Sequence, residues 1–202
     1  MQKGILIDFE GGEKVGKTTQ IRKAKECLES LGYPVLVTHE PGGGDPHIRE
    51  KLLDMKGKVT PEQELDLFCQ DRKLHVDNLL RPSLETGTVV LLDRFEPSTI
   101  AYQGYARGIS LDLIRQKSAE ARGEIWPDVI ILLDADPAIA LKREEATSRF
   151  DDEKIEFHQK VRAGFLAQAK EDTAHWRIID ASSPIEEVWE DVKKEIDSLT
   201  KK

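Results

Sequence analysis

Five short segments rich in Val, Ile and Leu recur along the chain, without the polar alternation of a half-exposed strand. These segments are Gly4–Phe9, Val35–Thr38, Val89–Asp93, Val129–Asp134 and Arg177–Asp180. Near-continuous apolar runs of this kind are typical of strands that are covered on both faces. Asp8 interrupts the first segment, and the apolar pattern gives no reason for a carboxylate there.

Between and after these segments, apolar residues recur at spacings of three and four, which predicts helices. The predicted helices are Thr18–Leu31, Pro61–Leu80, Leu111–Ala121, Pro137–Glu145, Lys154–Lys170 and Pro184–Leu199. Gly32 suits the end of the first helix, and Thr60 followed by Pro61 suits the start of the second. Strands that alternate with helices predict an α/β fold with right-handed βαβ units and a parallel, doubly wound sheet.

The chain has 202 residues and shows no repeat, low-complexity tract or linker. Because this length suits one compact unit, we predict a single domain over residues 1–202. The charged stretch Lys142–Lys154 is the candidate for a mobile segment of this domain.

The charge balance and the cysteine count narrow the class of protein. Thirty Lys and Arg against 38 Asp and Glu give a formal net charge of −8. Duplex binding draws mostly on phosphate neutralisation, so we expect no nucleic-acid partner, although a local basic pocket for a small phosphate ligand is allowed. Cys27 and Cys69 are too few for a disulfide framework or a cysteine zinc site.

No apolar run approaches the roughly 20 residues that span a bilayer, and the first strand begins too early to leave room for a signal peptide. We therefore expect a cytoplasmic protein with no membrane partner.

The stretch "FEGGEKVGKTTQ" follows the first predicted strand and opens the first predicted helix. Gly11, Gly16, Lys17 and Thr18 match the P-loop pattern G-x-x-x-x-G-K-[ST] in the context that supports it. Glycines let backbone N–H groups turn toward phosphate oxygens, and the helix N-terminus adds its positive dipole end. Lys17 is expected to reach the β and γ phosphates of ATP, and the Thr18 hydroxyl to bind Mg²⁺. A glycine-rich turn that binds nothing would explain the glycines but not Lys17 followed by Thr18.

The candidate ATP-binding residues in this turn are Gly11, Gly12, Glu13, Lys14, Val15, Gly16, Lys17, Thr18 and Thr19. A carboxylate near the metal is also required. Asp93 ends a buried strand and is followed by Arg94, a cation that could hold a second phosphate. Asp134 and Asp136 are the alternatives, although Asp136 precedes a proline and resembles a helix N-cap.

A P-loop alone is compatible with GTPases, motor and transporter ATPases, and small-molecule kinases. The chain has no N-K-x-D element for guanine, and its D-x-x-G at Asp54–Gly57 is far from any strand end. It is also short for a motor or transporter assembly. These observations favour a small kinase with a second phosphate site.

The chain resembles the thymidylate kinase family from end to end. The resemblance rests on "FEGGEKVGKTTQ", "EPGG" at 40–43, "LFCQDR" at 67–72, "DRFEPSTIAYQGYARGI" at 93–109, "PDVIILLD" at 127–134 and "SRFDDEKIEFHQKVRAGF" at 148–165. It implies transfer of the ATP γ-phosphate to dTMP, giving dTDP, with Mg²⁺. It also implies a three-layer P-loop NTPase fold with five parallel strands, a short lid at about 142–156, and a homodimer.

The same resemblance implies roles for residues of the acceptor site. Phe68 would stack on the thymine ring and Arg72 would donate to its O4; the two are four residues apart on one helical face, which suits a planar base with acceptors. Tyr102 would crowd the position of a ribose 2′-OH. The remaining implied acceptor-site residues are Glu40, Pro41, Arg49, Arg94, Thr99, Gln103 and Arg107. Without the resemblance, Phe68 would be read as a core aromatic, and Arg107 is equally compatible with a solvated loop arginine.

Charge at the transferring phosphoryl group would come from several cations. The implied catalytic residues are Lys17, Arg94, Arg149, Lys14 and Glu13. We expect the lid residue Arg149 to supply the main transition-state charge and Lys14 to assist, because a guanidinium fork matches a phosphoryl group better than a point charge. Glu13 would orient the acceptor, and Arg143 is a further lid candidate for ATP binding.

The chain departs from the family pattern at four places. His39 replaces the usual Arg before "EPGG", the following loop is two residues shorter, Gly44 stands where Thr is common, and Pro97 replaces an acidic or apolar residue. Arg49 follows the shortened loop, so its role depends most on these changes.

Two alternatives stay open. The first is a kinase for another nucleoside monophosphate, above all dUMP. It differs from dTMP by one methyl group, which gives a binding site only about 1–3 kcal/mol with which to discriminate the two. The second is a nucleotide-binding regulatory protein without turnover.

Overall fold

The computed structural model describes residues 3–54, 60–143, 150 and 153–200. Five parallel strands form one sheet in the order β2-β3-β1-β4-β5. They are β1 (Ile5–Glu10), β2 (Val35–His39), β3 (Val89–Asp93), β4 (Val129–Asp134) and β5 (Trp176–Asp180). The parallel α/β prediction is therefore confirmed, with each strand within one residue of its expected bounds.

Helices flank this sheet. In the described ranges they are α1 (Lys17–Ser30), α2 (Pro46–Asp54), α3 (Pro61–His75), α4 (Arg81–Glu85), α5 (Glu96–Thr99), α6 (Leu111–Arg122), α7 (Pro137–Ala140), α8 (Ile155–Glu171) and α9 (Ile185–Thr200). Two π-helical segments, Val76–Leu80 and Ile100–Ala106, continue α3 and α5 respectively. The predicted start of α3 is confirmed by a capping box: Thr60 Oγ1 accepts from Gln63 N, and Gln63 Oε1 accepts from Thr60 N.

Two helical predictions were wrong or incomplete. The helix predicted over Pro137–Glu145 was too long, because α7 ends at Ala140. The N–H groups of Lys142 and Arg143 donate to carbonyls three residues back instead of four, so the α-helical pattern does not continue. The helix predicted to end at Leu80 continues to Glu85, because the π-helical segment accommodates Pro82, which has no N–H to donate.

Helix α2 and the helical segment 96–106 were not predicted. Segment 96–106 contains a proline, a glycine and several β-branched or aromatic residues, so its local propensity for helix is weak. Its residues from Glu96 to Gly104 are buried, and tertiary packing holds the segment helical.

The two faces of β1 meet different layers. Ile7 and Phe9 pack in the cluster that includes α1 and α9, whereas Leu6 packs in the cluster that includes the end of the α3 segment. Side chains alternate along a strand, so Asp8 lies on the same face as Leu6. Asp8 is fully buried, and neither of its carboxylate oxygens has a hydrogen-bond partner among the described residues.

The C-terminal ends of the central strands meet at one edge of the sheet, where ligands bind in open α/β sheets. The turn after β1, Arg94 after β3 and Glu40 after β2 all lie there. Within the part of the chain that the structure describes, no helix combines the length and apolarity needed to span a membrane.

Candidate active site

The turn between β1 and α1 has the geometry of a phosphate cradle. Gly11 adopts φ +147°, and a Cβ there would lie 2.5 Å from the carbonyl oxygen of Leu133, so only glycine fits. Gly16 takes a left-handed conformation directly before α1. These two positions let the backbone curl tightly ahead of a helix N-terminus.

Lys17 begins α1 and turns back over this cradle. Its Nζ donates to the carbonyl of Gly12 at 3.1 Å and lies 3.5 Å from that of Gly11. Burial and the neighbouring Arg94 charge lower the pKa of Lys17. Thr18, in contrast, is exposed at the first turn of the helix.

Arg94 connects the cradle to a neighbouring groove. It directly follows β3, adopts φ +72°, and donates at 3.0 Å each to the Gly11 carbonyl, Ser98 Oγ and Glu13 Oε1. Its guanidinium lies 5.1 Å from the Tyr102 ring centroid. Burial opposes its charge, but acidic neighbours including Glu13 raise the pKa of Arg94 above its ordinary value, so the group is cationic.

Glu13 is the anionic centre of this cluster. Its Oε1 accepts from Arg94 and, at 2.6 Å, from the Tyr102 hydroxyl. Burial works against ionisation, yet Arg94 and Lys17 hold the pKa of Glu13 at about 2. Glu13 is therefore a carboxylate at neutral pH and can only accept hydrogen bonds.

The groove beside the cradle is lined by Glu13, Glu40, Pro41, Arg49, Phe68, Arg72, Arg94, Phe95, Ser98, Thr99, Tyr102, Gln103 and Phe150. The space between these residues is about 690 Å³, open mouth included. Nine of the ten residues expected at the acceptor site line this one groove, together with Glu13.

Phe68 and Arg72 reach the groove from one face of α3. Phe68 is half-buried and is absent from the hydrophobic clusters formed by the described residues. Arg72 is 1 % exposed, with Nε and Nη2 each 2.9 Å from Glu40 Oε2. The guanidinium also lies 4.9 Å from the Phe95 ring centroid.

The shortened loop after β2 is docked onto α3. The carboxylate of Asp71 accepts the N–H groups of Gly42, Gly44 and Asp45 at 2.7, 3.1 and 2.8 Å. A Cβ at Gly44 would collide with the Asp71 carbonyl oxygen, which explains why glycine stands there. Arg49 still lines the groove, and its Nη1 donates to the Pro41 carbonyl at 3.0 Å.

Neither Arg107 nor Arg143 is among the described residues that line the groove. Arg107 lies 3.1 Å from Glu64 and 3.2 Å from Glu153, in ion pairs that join α3 to the start of the α8 segment. Arg143 donates to the Ala181 carbonyl at 2.8 Å. Arg149 and most of the predicted lid lie outside the described residues, whereas Lys14 is in the cradle with φ +59°.

The three candidate metal carboxylates differ in their surroundings. Asp134 is held by Arg162 through two bonds of 2.7 Å. Asp136 accepts from Ala138 N at 2.8 Å, so the predicted N-cap is confirmed. Asp93 Oδ1 is buried without a hydrogen-bond partner among the described residues.

Several residues of the site were not predicted from the sequence. Glu10 is fully buried and accepts from Phe95 N, Ser98 N and Ser98 Oγ, which fixes the turn that carries Arg94; burial raises the pKa of Glu10. His75 could have been noticed, since it follows Arg72 by three residues on the same helical face. Ser118 carried no local signal, because its partner Arg72 is 46 positions away.

Comparisons with known proteins agree with one another. The family model for thymidylate kinase matches residues 9–192. A thymidylate kinase of Thermomicrobium roseum is 44 % identical over 190 residues, covering 91 % of this chain and 90 % of the relative. One of Nitratidesulfovibrio vulgaris is 38 % identical over 208 residues, covering 96 % and 97 %. The crystal structure of thymidylate kinase from Ehrlichia chaffeensis superposes with a TM-score of 0.79 at 31 % identity, covering 96 % of this chain and 99 % of that one.

Proposed function

The chain belongs to the thymidylate kinase family, and from that premise we propose that its groove binds dTMP beside the P-loop. The family reaction, transfer of a phosphoryl group from ATP to dTMP, is the activity of this chain. The observation that carries the site assignment is the position of Arg94, which donates to the Gly11 carbonyl of the cradle and also lines the groove. One guanidinium therefore lies where the donor and acceptor phosphates would meet.

The base of dTMP is recognised by the inner end of the groove. Phe68 offers an aromatic face for stacking, and Arg72 offers an N–H for the O4 of thymine. Gln103 is 1 % exposed, lines the groove, and its Nε2 has no hydrogen-bond partner among the described residues. A buried donor without a partner is costly, which supports a base acceptor as its partner.

The sugar lies against Tyr102. Glu13 accepts from the tyrosine hydroxyl, and the rings of Phe150, Phe157 and Phe165 lie edge-on to it at centroid distances of 5.6, 6.1 and 6.3 Å. A ring held on this many sides cannot easily move away, so Tyr102 is suited to exclude a 2′-OH.

Phosphoryl transfer here needs positioning and positive charge more than covalent chemistry. The acceptor is already a phosphate anion, so no general base is required. Lys17 and Arg94 place two cations beside the cradle, Lys14 adds a third in the same turn, and we assign Arg149 as the main lid cation. We assign Arg143 to ATP binding and Arg107 to the acceptor phosphate, in contacts that would replace their present bonds.

Mg²⁺ would be held by Thr18 and Asp93, together with nucleotide phosphates. The unpartnered Oδ1 of Asp93 fits this assignment, since Mg²⁺ in kinases takes one or two protein oxygens and keeps water or phosphate oxygens for the rest. When bound, the metal would neutralise charge on the phosphates.

We also assign a homodimer, which rests on the family resemblance alone, and the cytoplasmic location, which stays a prediction from the sequence.

An acceptor panel tests the function. ADP release is measured with ATP, Mg²⁺ and dTMP, dUMP, dCMP or dGMP. We expect dTMP to give the highest kcat/KM; preference for another base would reject the acceptor assignment, and ATP binding without acceptor-dependent ADP release would favour the regulatory alternative. Separate Lys14→Ala and Arg149→Ala variants then compare the two cations, with the larger loss of kcat expected at Arg149.

A further inference from the structure

The guanidinium of Arg72 is held by a buried network behind the groove. Its Nε donates to Glu40 Oε2 at 2.9 Å, its Nη2 donates to Thr99 Oγ1 at 3.0 Å, and its Nη1 donates to Ser118 Oγ at 3.1 Å. Nη2 also lies 2.9 Å from the same Glu40 oxygen. Nη1 has two N–H groups and one acceptor among the described residues, Ser118, so an N–H on Nη1 is available to an acceptor in the groove that Arg72 lines.

A second set of contacts fixes Glu40 from the far side. Glu40 Oε1 lies 3.0 Å from Nδ1 of His75, and Nε2 of His75 lies 2.8 Å from Thr38 Oγ1. A carboxylate can only accept, so Nδ1 carries the proton, and in the neutral ring Nε2 accepts from the Thr38 hydroxyl. The chain of contacts therefore runs from Thr38 through His75 and Glu40 to Arg72.

This chain of contacts is rigidly placed. His75 is fully buried, Thr38 is 7 % exposed, and neither residue lines the groove. A Cβ at Gly43 would lie 2.6 Å from Nε2 of His75, so the loop after β2 packs directly on the ring. The ring consequently has little room to turn and fixes the direction from which Glu40 holds the guanidinium.

We infer that His75 is a positioning residue for base recognition, which through Glu40 holds Arg72 so that an N–H on Nη1 is left for the base. This inference rests on the proposed function, in which Arg72 faces O4 of thymine. A fixed donor suits the O4 acceptor of thymine or uracil and opposes the 4-amino group of cytosine, itself a donor. A guanidinium released from Glu40 can turn away, and the penalty against cytosine then decreases.

The test compares kcat and KM for dTMP, dCMP and ATP in three variants. His75→Leu removes both ring nitrogens. His75→Asn keeps a side-chain N–H near Nδ1, and Thr38→Val removes only the hydroxyl while nearly conserving shape. His175→Leu is the matched control, because His175 also pairs with a carboxylate, Asp172, but is outside the groove.

In His75→Leu we expect KM for dTMP to rise about 3- to 10-fold, the effect of roughly one hydrogen bond. The dTMP-to-dCMP ratio of kcat/KM should fall by a similar factor, with KM for ATP unchanged and kcat within about twofold. Thr38→Val should show the same pattern more weakly, His75→Asn should recover part of the loss, and the control should resemble the parent chain.

A purely structural role for His75 would lower stability and leave the dTMP-to-dCMP ratio unchanged in every variant, which would overturn the inference. If His75→Leu does not fold, an unchanged dTMP-to-dCMP ratio in Thr38→Val would likewise overturn the inference. Failure of the proposed function would be seen separately, as a parent chain that does not phosphorylate dTMP, and would overturn both.

Discussion

The buried carboxyl of Asp8 should destabilise the ligand-free protein increasingly as the pH rises. Asp8 lies in register with Leu92 on one side and Ile130 on the other, and its oxygens have no partner among the described residues. Burial, and then repulsion from Glu10 and other carboxylates, raise the pKa of Asp8 well above its ordinary value of 3.8.

The direction of the effect follows from proton linkage. Below about pH 3.8 the group is protonated in both folded and unfolded chains, so it has no ionisation penalty. As the pH rises above that value, the unfolded chain loses the proton while the folded chain retains it, and stability falls by about 1.4 kcal/mol per pH unit. The decline stops once the folded-state pKa is passed.

Asp8→Asn has the same shape but cannot ionise, so its comparison with the parent chain isolates the effect of Asp8 ionisation on stability. We expect its advantage over the parent chain, measured as the free energy of unfolding in urea, to grow between pH 5 and pH 8 until it levels off. Asp8→Val also removes the unpartnered polar atoms and should add about 1–3 kcal/mol at every pH. Asp66→Asn is the control, since Asp66 is an exposed partner of Lys117.

A constant gap between Asp8→Asn and the parent chain across this pH range would refute the reasoning. It would mean that the folded-state pKa of Asp8 is close to that of the unfolded chain, as it would be if the carboxylate were solvated or paired.

Three further outcomes are expected. Thr60→Ala removes the N-cap of α3 and should cost about 1 kcal/mol in urea unfolding without altering KM for ATP; a change below 0.2 kcal/mol, on the order of measurement error, would contradict it. Glu13→Gln should lower stability by on the order of 3 kcal/mol at neutral pH, because the pKa of Glu13 is about 2. That loss is fully present above about pH 4.5 and should disappear as acid titration approaches pH 2, so a pH-independent loss would argue against the ion pair with Arg94. Gly44→Ala forces a Cβ against the Asp71 carbonyl. It should raise KM for dTMP at least threefold, on the order of the loss of one hydrogen bond, and leave KM for ATP unchanged. An equal rise in both KM values would contradict this prediction.

Much of the fold is readable from short-range patterns. Continuous apolar runs identified all five strands, because a strand that is covered on both faces is apolar along nearly its whole length. The P-loop was readable because its glycines, Lys17 and Thr18 act within eight residues. Phe68 and Arg72 were placed on one face by helical spacing alone, and both line the groove.

Tertiary structure decided what depends on residues distant in sequence. Segment 96–106 is helical because packing overrides weak local propensity, and no local pattern could show that the loop after β2 would dock on Asp71 of α3. The orientation of the Arg72 guanidinium is set by hydrogen-bond partners 27 to 46 positions away. Periodicity reports which face of an element is apolar, whereas hydrogen-bond partners and the protonation of a buried group such as Asp8 are set by atoms that only folding brings together.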